Sequence, residues 1–407
     1  MDALTTPSNW QRVRLGDILE LLTDYHANGS YELLKNNVTL LKHVDFAIMI
    51  RTTNFENNDF KNDLIYINKK AYEFLSKSKV FAGDILVNKI ANAGTAYFMP
   101  KLNQPVSLGM NLFLLRIKPN YNNFFIFKQI ANYERVLKTF ANGSATKTIT
   151  KNVIKNLLIP LPPLNEQIAI ANILSDVDRY LYSLDALILK KESVKKALSF
   201  ELLSQRKRLK GFNQAWQRVK VKDFGIIITG STPLTQISEY WNGTISWITP
   251  TDINDNKDIF NSERKITQKG LDTIRMIPKN SVLVTCIASI GKNAILRVNG
   301  ACNQQINAII PNKDFNADFI YYLMENNKQY LLGKAGVTAT YIISKQVFEE
   351  IDFFVPKDLN EQIAIANVLS ALDHEIASLK NKKRQFENIK KALNHDLMSA
   401  KIRVLNK

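Results

Sequence analysis

Two stretches of the chain place apolar residues at alternating steps of four and three. In the first, Ile170, Leu174, Val177, Leu181, Leu184 and Ile188 keep this spacing, Lys191 and Lys195 interrupt it, and Leu198 and Leu202 resume it. In the second, Ile365, Leu369, Leu372, Ile376 and Leu379 are followed by Lys383, Phe386, Lys390, Leu393 and Leu397 on the same frame. This heptad spacing predicts helices with one apolar seam each. Both stretches run for about 40 residues without Pro or Gly, on the order of 60 Å of helix, which is longer than a small domain is wide. A helix lying only on its own domain would not need that length, so the natural partner of each helix is the other. Pro162 and Pro163 precede the first helix, Asp358 with Glu361 gives the second a capping arrangement, and Gly211 is expected to end the first.

The two helical stretches belong to an internal repeat. Asn165-Glu166-Gln167-Ile168-Ala169-Ile170-Ala171-Asn172 recurs letter for letter as Asn360-Glu361-Gln362-Ile363-Ala364-Ile365-Ala366-Asn367, 195 residues later. Trp10-Gln11-Arg12-Val13-Arg14 is answered by Trp216-Gln217-Arg218-Val219-Lys220. The order is therefore a variable domain (1–160), a constant helix (161–211), a second variable domain (212–356) and a second constant helix (357–407). A pseudo-twofold between the copies would make the helices antiparallel, give a two-lobed rod and bring the chain termini together.

Between the helices the pattern changes to short strands. Asp84 to Ile90 and Thr95 to Phe98 flank Ala91-Asn92-Ala93-Gly94, and Ser281 to Ile287 and Asn293 to Val298 flank Ala288-Ser289-Ile290-Gly291. These predict matching hairpins in two mixed α/β (α+β) lobes. Lys89, Asn92, Ser289, Lys292 and Asn293 sit at or beside the turns and are of the types that reach phosphates and base edges. A second matched pair is Gly143 to Thr148, with Lys147 and Thr148, ahead of Lys151, and Gly336 to Tyr341, with Thr340 and Tyr341, ahead of Lys345. Solvated loops offer the same residues. Asn303-Gln304-Gln305-Ile306-Asn307 lies between apolar runs. Its amides, Gln304 and Gln305 among them, suit either adenine or buried backbone groups.

Charge favours a polyanion as the partner of such lobes. Lys and Arg number 54 against 37 Asp and Glu, a net charge of +17. The helical stretch 165–210 carries 9 Lys/Arg with 6 Asp/Glu, and 360–407 carries 9 with 5, leaving +10 for the lobes. A biased genome composition would also raise Lys, but the surplus is spread over whole domains and not held in a tail. At 45% hydrophobic residues the chain has material for ordinary cores. Cys286 and Cys302 form no framework or metal motif, and neither a signal peptide nor a run of 18 apolar residues occurs, so the expectation is a cytoplasmic protein with no membrane segment. No phosphate-binding, zinc-protease or nucleophile-elbow motif is present, Leu161-Pro162-Pro163-Leu164 lacks the ends of an amino-methyltransferase tetrapeptide, and His26, His43, His374 and His395 are scattered. No catalytic or metal-binding residue is nominated.

Pro160 to Leu174, Leu202-Leu203-Ser204-Gln205-Arg206 before Gly211-Phe212, Thr229-Gly230-Ser231-Thr232-Pro233 with Tyr240-Trp241, Ser246 to Pro250, and Gly291 with Asn303 to Asn307 resemble the specificity subunit of type I restriction-modification systems. The resemblance covers essentially the whole chain. It implies a non-catalytic reader of double-stranded DNA whose two target-recognition domains each read half of a bipartite site, with the antiparallel helices setting the gap. It also implies methyltransferase (modification) subunits as direct partners and restriction subunits through them. No cofactor is expected in this chain, since S-adenosylmethionine, ATP and Mg2+ would belong to the partners. The first lobe has Thr23-Asp24-Tyr25-His26 where the second has its Thr-Gly-Ser-Thr-Pro opening, so the lobes are expected to read different sequences. A coiled-coil scaffold whose basic lobes bind RNA or protein is the alternative.

Overall fold

The computed structural model describes residues 9–141, 147–253, 256–337 and 340–404. The chain forms two compact units, one from residues up to 183 together with those from 383 onward, the other from 184–382. The long helices span Leu164–Leu203 and Leu359–Met398, so each gives one half to each unit.

The first unit contains β1 (Gln11–Arg14), β2 (Leu19–Asp24), β3 (Ala47–Ile50), β4 (Tyr66–Ile67), β5 (Lys79–Val80), β6 (Ile85–Asn88), β7 (Ala96–Phe98), β8 (Val106–Leu108), β9 (Leu112–Ile117) and β10 (Leu158–Leu161). Strands β1 and β10 pair antiparallel. An antiparallel sheet has the order β2-β9-β6-β7, and a mixed one the order β4-β3-β8-β5 with β3 parallel to β8. The unbroken apolar run Ile85-Leu86-Val87 is buried throughout because both faces are covered. Ile85 and Val87 share a core with Phe125 and Ile126, whereas Leu86 packs with Ile50, Val80 and Leu108.

The second unit repeats this plan with β11 (Trp216–Lys220), β12 (Gly225–Thr229), β13 (Trp241–Ile248), β14 (Asp258–Ile259), β15 (Lys265–Ile266), β16 (Ser281–Thr285), β17 (Asn293–Leu296), β18 (Gly300–Cys302), β19 (Ile306–Pro311), β20 (Gly336–Val337), β21 (Tyr341–Ile342) and β22 (Asp352–Pro356). Strands β11 and β22 correspond to β1 and β10, β12-β19-β16-β17 to β2-β9-β6-β7, and the parallel pair β13/β18 to β3/β8. Strand β14 adds an edge to the larger sheet.

The repeated Asn-Glu-Gln motif anchors each long helix to its unit. Gln167 Nε2 donates to the Pro162 carbonyl at 2.8 Å, and its Oε1 accepts from Asn122 N at 2.9 Å. Gln362 does the same with Pro356 (3.1 Å) and Asn316 (3.0 Å). Glu166, almost fully buried, pairs with Arg403 (2.9 and 3.2 Å), and Glu361 with Arg208 (3.0 and 2.6 Å). Trp216 Nε1 also donates to Glu361, at 3.2 Å, while Trp10 Nε1 finds no partner among the described residues.

These arginines explain a departure from the sequence reading. The first helix ends at Leu203 and not at Gly211, because Gln205 turns into the left-handed region (φ 60°), and Ala400 (φ 57°) does likewise after the second helix. The early turn frees Arg208 and Arg403 from helical geometry to reach the buried glutamates.

Within each unit the helix halves run antiparallel. Lys191 pairs with Glu375 at 2.8 Å and Glu192 with Lys380 at 2.6 Å in the second, and Tyr180 packs at a tilt against Phe386 (centroids 4.6 Å apart) in the first. Ile170 and Leu174 join the first unit's core with Leu397, and Ile365 and Leu369 join the second's with Leu202. These seam positions therefore fasten helix to domain as well as helix to helix. Leu181, Leu184, Ile188 and Ile376 are buried, whereas Val177, Leu372, Leu379 and Phe386 are partly buried. The lysines that interrupt the heptads have acidic partners: Lys195 pairs with Asp373, which also accepts from Tyr322 Oη at 2.7 Å, and Lys390 pairs with Asp178, which Lys128 joins at 3.0 Å. Burial works against the charge of Asp178, but the two lysines outweigh it and hold the carboxyl below its ordinary range.

Candidate nucleic-acid interface

The two polar segments singled out in each lobe come together. In the first unit β6 and β7 form the expected hairpin, and Ile90 at its end bridges to Thr148. In the second, β16 and β17 form the matching hairpin, and Ile287 bridges to Ile342. Both turns place an alanine in the left-handed region, Ala91 at φ 64° and Ala288 at φ 62°. Gly94 (φ +93°) and Gly291 (φ +81°) then close them by donating to Asn88 O at 2.8 Å and Thr285 O at 2.9 Å. A Cβ on Gly94 would lie 2.7 Å from that of Leu137, so glycine is required there by space as well as by backbone.

In the first unit this junction borders an open cleft of about 490 Å³ lined by Asp24, Lys89, Phe113, Thr148, Lys151 and Asn152 among others. Lys89 Nζ lies 3.4 Å from Asp24 Oδ2 and 3.3 Å from His26 Nδ1, and Lys151 Nζ lies 3.2 Å from Asp24 Oδ1. Desolvation raises the Asp24 pKa, but hydrogen bonding and charge from Lys151 and Lys89 prevail and hold it below the ordinary carboxylate value. Asn92 is exposed at the turn, with Nδ2 3.3 Å from Glu56 Oε1. Lys147 is exposed beside Thr148; Gly143 to Thr146 lie outside the described residues.

The second unit arranges its residues differently. Lys292 is exposed, Ser289 is half-buried, and the Ser289 carbonyl accepts from Thr285 Oγ1. Asn293 is buried, and its amide donates to the Gly291 carbonyl at 3.3 Å, so it serves the turn. Tyr341 is exposed, Thr340 half-buried, and Lys345 turns to Glu349 at 3.4 Å; Thr338 and Ala339 lie outside the described residues. The amides of the 303–307 cluster differ in burial. Asn307 is internal, accepting from Thr229 Oγ1 at 2.7 Å and donating to Cys286 Sγ at 3.2 Å. Asn303 bonds Gln305 at 2.9 Å, whereas Gln304 is exposed and accepts from Thr232 Oγ1 at 2.6 Å.

Sequence reading did not find Asp24 in the lining of the first cleft or His26 next to it, since neither stands in a basic or amide-rich context and only the fold brings them beside Lys89. Arg264 was missed as well. Its guanidinium lies 4.1 Å from the Trp241 ring centre and 4.9 Å from that of Trp247, beside the Thr229 to Pro233 loop that both indoles hold through Ser231 and Leu234 carbonyls. Both cysteines are free and buried, and burial pushes their thiols up to about 12. Among the described residues no cluster of His, Cys, Asp and Glu is arranged to hold a metal, and no helix is long and apolar enough to cross a membrane.

The family described as the type I restriction modification DNA specificity domain matches the chain twice, over residues 7–191 and 213–388. The type I restriction enzyme MjaVIII specificity subunit of Methanocaldococcus jannaschii is 26% identical over 441 residues, covering 100% of this chain and 96% of that one. The MjaIX specificity subunit of the same organism is 36% identical over 178 residues, which is 42% of this chain and only 40% of the relative's length. A crystal structure of the type I restriction-modification S subunit from M. genitalium superposes with a TM-score of 0.60 at 16% identity over 96% of both chains, a likeness of fold. With two matches that together span most of its length, the chain belongs to the type I restriction-modification specificity subunit family.

Proposed function

We propose that this chain is the DNA-reading, targeting subunit of a type I restriction-modification complex. Each unit presents one hairpin-and-loop junction to one half of a bipartite site in double-stranded DNA, and the paired helices set the gap between half-sites. The observation that carries this reading is the duplication of one backbone junction with unlike side chains, Asp24, Lys89 and Phe113 in one copy and Thr229, Cys286 and Asn307 in the other. One framework repeated with different chemistry suits the reading of two different sequences.

The chain itself carries out no catalysis in this reading. Modification subunits are its direct partners, restriction subunits join through them, and S-adenosylmethionine, ATP and Mg2+ are theirs to bind; the setting is the cytoplasm. The coiled-coil scaffold alternative has no observation in its favour. Mapping methylated bases in cells with and without the gene, modification subunit present, tests the proposal. The expected result is a bipartite methylated motif that disappears with the gene, and persistence of every methylated motif in its absence would refute the role.

A further inference from the structure

We infer that Asp24 is a specificity-determining residue of the first recognition unit, accepting from the amino group of cytosine in a C·G pair while Lys89 or Lys151 donates to the guanine. The inference rests on the DNA-reading role proposed above and goes beyond it by naming the base pair that one cleft takes.

The charges in this cleft are not needed to build it. Strand register makes Asp24 and Thr229 equivalent: Asp24 lies opposite Phe113 and Thr229 opposite Asn307, and those partners in turn face Val87 and Val284. Lys89 and Cys286 are likewise equivalent, since the carbonyl of each holds the incoming loop, accepting from Ile149 N at 3.1 Å and from Ile343 N at 2.9 Å. Backbone bonds thus close the junction in both units, and in the second they do so with neutral Thr229 and Cys286 at the places of Asp24 and Lys89, only Lys151 keeping a basic counterpart in Lys345. The first unit instead keeps a carboxylate only 15% exposed beside an ammonium only 13% exposed. Burial costs these ions hydration that their pairing has to offset, and a fold that closes without the pair gives no structural reason to retain it.

The composition of the cleft selects among DNA groups. A site for backbone phosphate would hold cations alone, and Asp24 would repel the phosphate. A carboxylate flanked by ammoniums instead presents an acceptor beside donors. In the major groove cytosine offers its N4 amino group and guanine its O6 and N7 acceptors, which this pattern complements. Thr148 and Asn152 on the same wall add polar groups, and Phe113 supplies an apolar floor beneath Lys89, 5.7 Å from its ring centre.

The test uses the full chain with its modification subunits, reading the methylated motif by sequencing for the wild type, Asp24→Asn and Lys89→Met. The expected result is that one C·G position in one half-site relaxes by about tenfold in preference, within the range a good base contact supports, while the other half-site is unchanged. An unchanged motif in both variants overturns the inference, as does a change at a position other than C·G or one spread over both half-sites. Thermal melting of the purified variants guards against misfolding: if both variants unfold, the cluster is structural and the inference falls. A wild type that yields no bipartite motif would defeat the proposed function instead, so the two failures are distinguishable.

Discussion

The same junction holds an Asp–Lys pair in one unit and neutral side chains at the two matching places in the other. Around Asp24, Lys89 and Lys151 the first unit holds ions over an open cleft, while in the second Thr229 and Cys286 take the places of Asp24 and Lys89 and are joined through Asn307 by neutral hydrogen bonds, and Lys345, at the place of Lys151, turns to Glu349. The backbone around them is alike, down to the left-handed alanines of the turns and the carbonyl that receives the loop. The fold is therefore fixed by backbone pairing and by the anchors of the long helices. That leaves the side chains at the junction free to differ, and the proposed recognition sits where stability does not constrain it.

The strongest way to test that division is to attack the anchors. Leu174 and Leu369 are equivalent, fully buried, and tie the helices into the two cores. Leu174→Ala and Leu369→Ala are each expected to cost about 2–5 kcal/mol, read by denaturant unfolding, with hydrogen-exchange protection falling mainly in the unit that carries the change. A large loss at one position and none at the other would break the equivalence. Gln167→Leu and Gln362→Leu leave a buried N–H and carbonyl without their partner, and about 1–3 kcal/mol is expected for each. Glu361→Gln should destabilise more than Glu166→Gln, because Glu361 also accepts from Trp216 whereas Trp10 makes no such bond.

The opposite expectation holds for the junction. Asp24→Thr with Lys89→Cys gives the first unit the side chains of the second at these positions, and its stability should shift by no more than about 1 kcal/mol, since a buried ion pair removed as a pair is close to neutral. A loss comparable to that of Leu174→Ala would show that the charges hold the first unit together.

Much of this plan was legible in the sequence, because the heptads, the letter-for-letter repeat and the hairpins are local patterns. The function of the Asn-Glu-Gln motif was not. Gln167 and Gln362 act through Asn122 and Asn316, groups far away in the chain, and Glu166 and Glu361 through arginines that only strand and helix packing bring back. The lysines that broke the heptads read as interruptions until Asp178 and Asp373 were seen beside them. Asp24 was hidden for the same reason: it is an ordinary carboxylate in sequence, and the pairing of β2 with β9 sets it beside Lys89. Conversely, Asn293 reads as a surface amide in a turn, yet the strand buries it.

Acid separates the units more gently. The carboxyls of Asp24 and Asp178 in the first unit and Asp318 in the second are held below their ordinary value of 3.8, with burial opposing the effect of their cationic neighbours. A depressed carboxylate contributes stability that is present above its unfolded pKa and lost as pH falls through the folded one, so both units should weaken below about pH 4. Asp24→Asn should reduce that acid sensitivity in the first unit and leave the second unchanged, as followed by hydrogen exchange at stepped pH.

The smallest effect concerns the exposed lysines, which separate attraction to DNA from reading of it. Lys147 in the first unit, on the incoming loop, and Lys292 in the second, in the hairpin turn, are exposed at the two junctions. If each neutralises one phosphate, Lys147→Ala and Lys292→Ala should each weaken binding uniformly across sequences. Each should also lower the slope of log affinity against log salt by about 0.9. Lys89→Met, with its ammonium already engaged by Asp24, should leave the slope nearly unchanged and alter only which duplex is preferred. Salt titrations of purified complex on matched and mismatched duplexes distinguish these outcomes. A slope change for Lys89→Met as large as that for Lys147→Ala would make Lys89 a phosphate contact, and the contrast between the units would then be one of affinity and not of sequence.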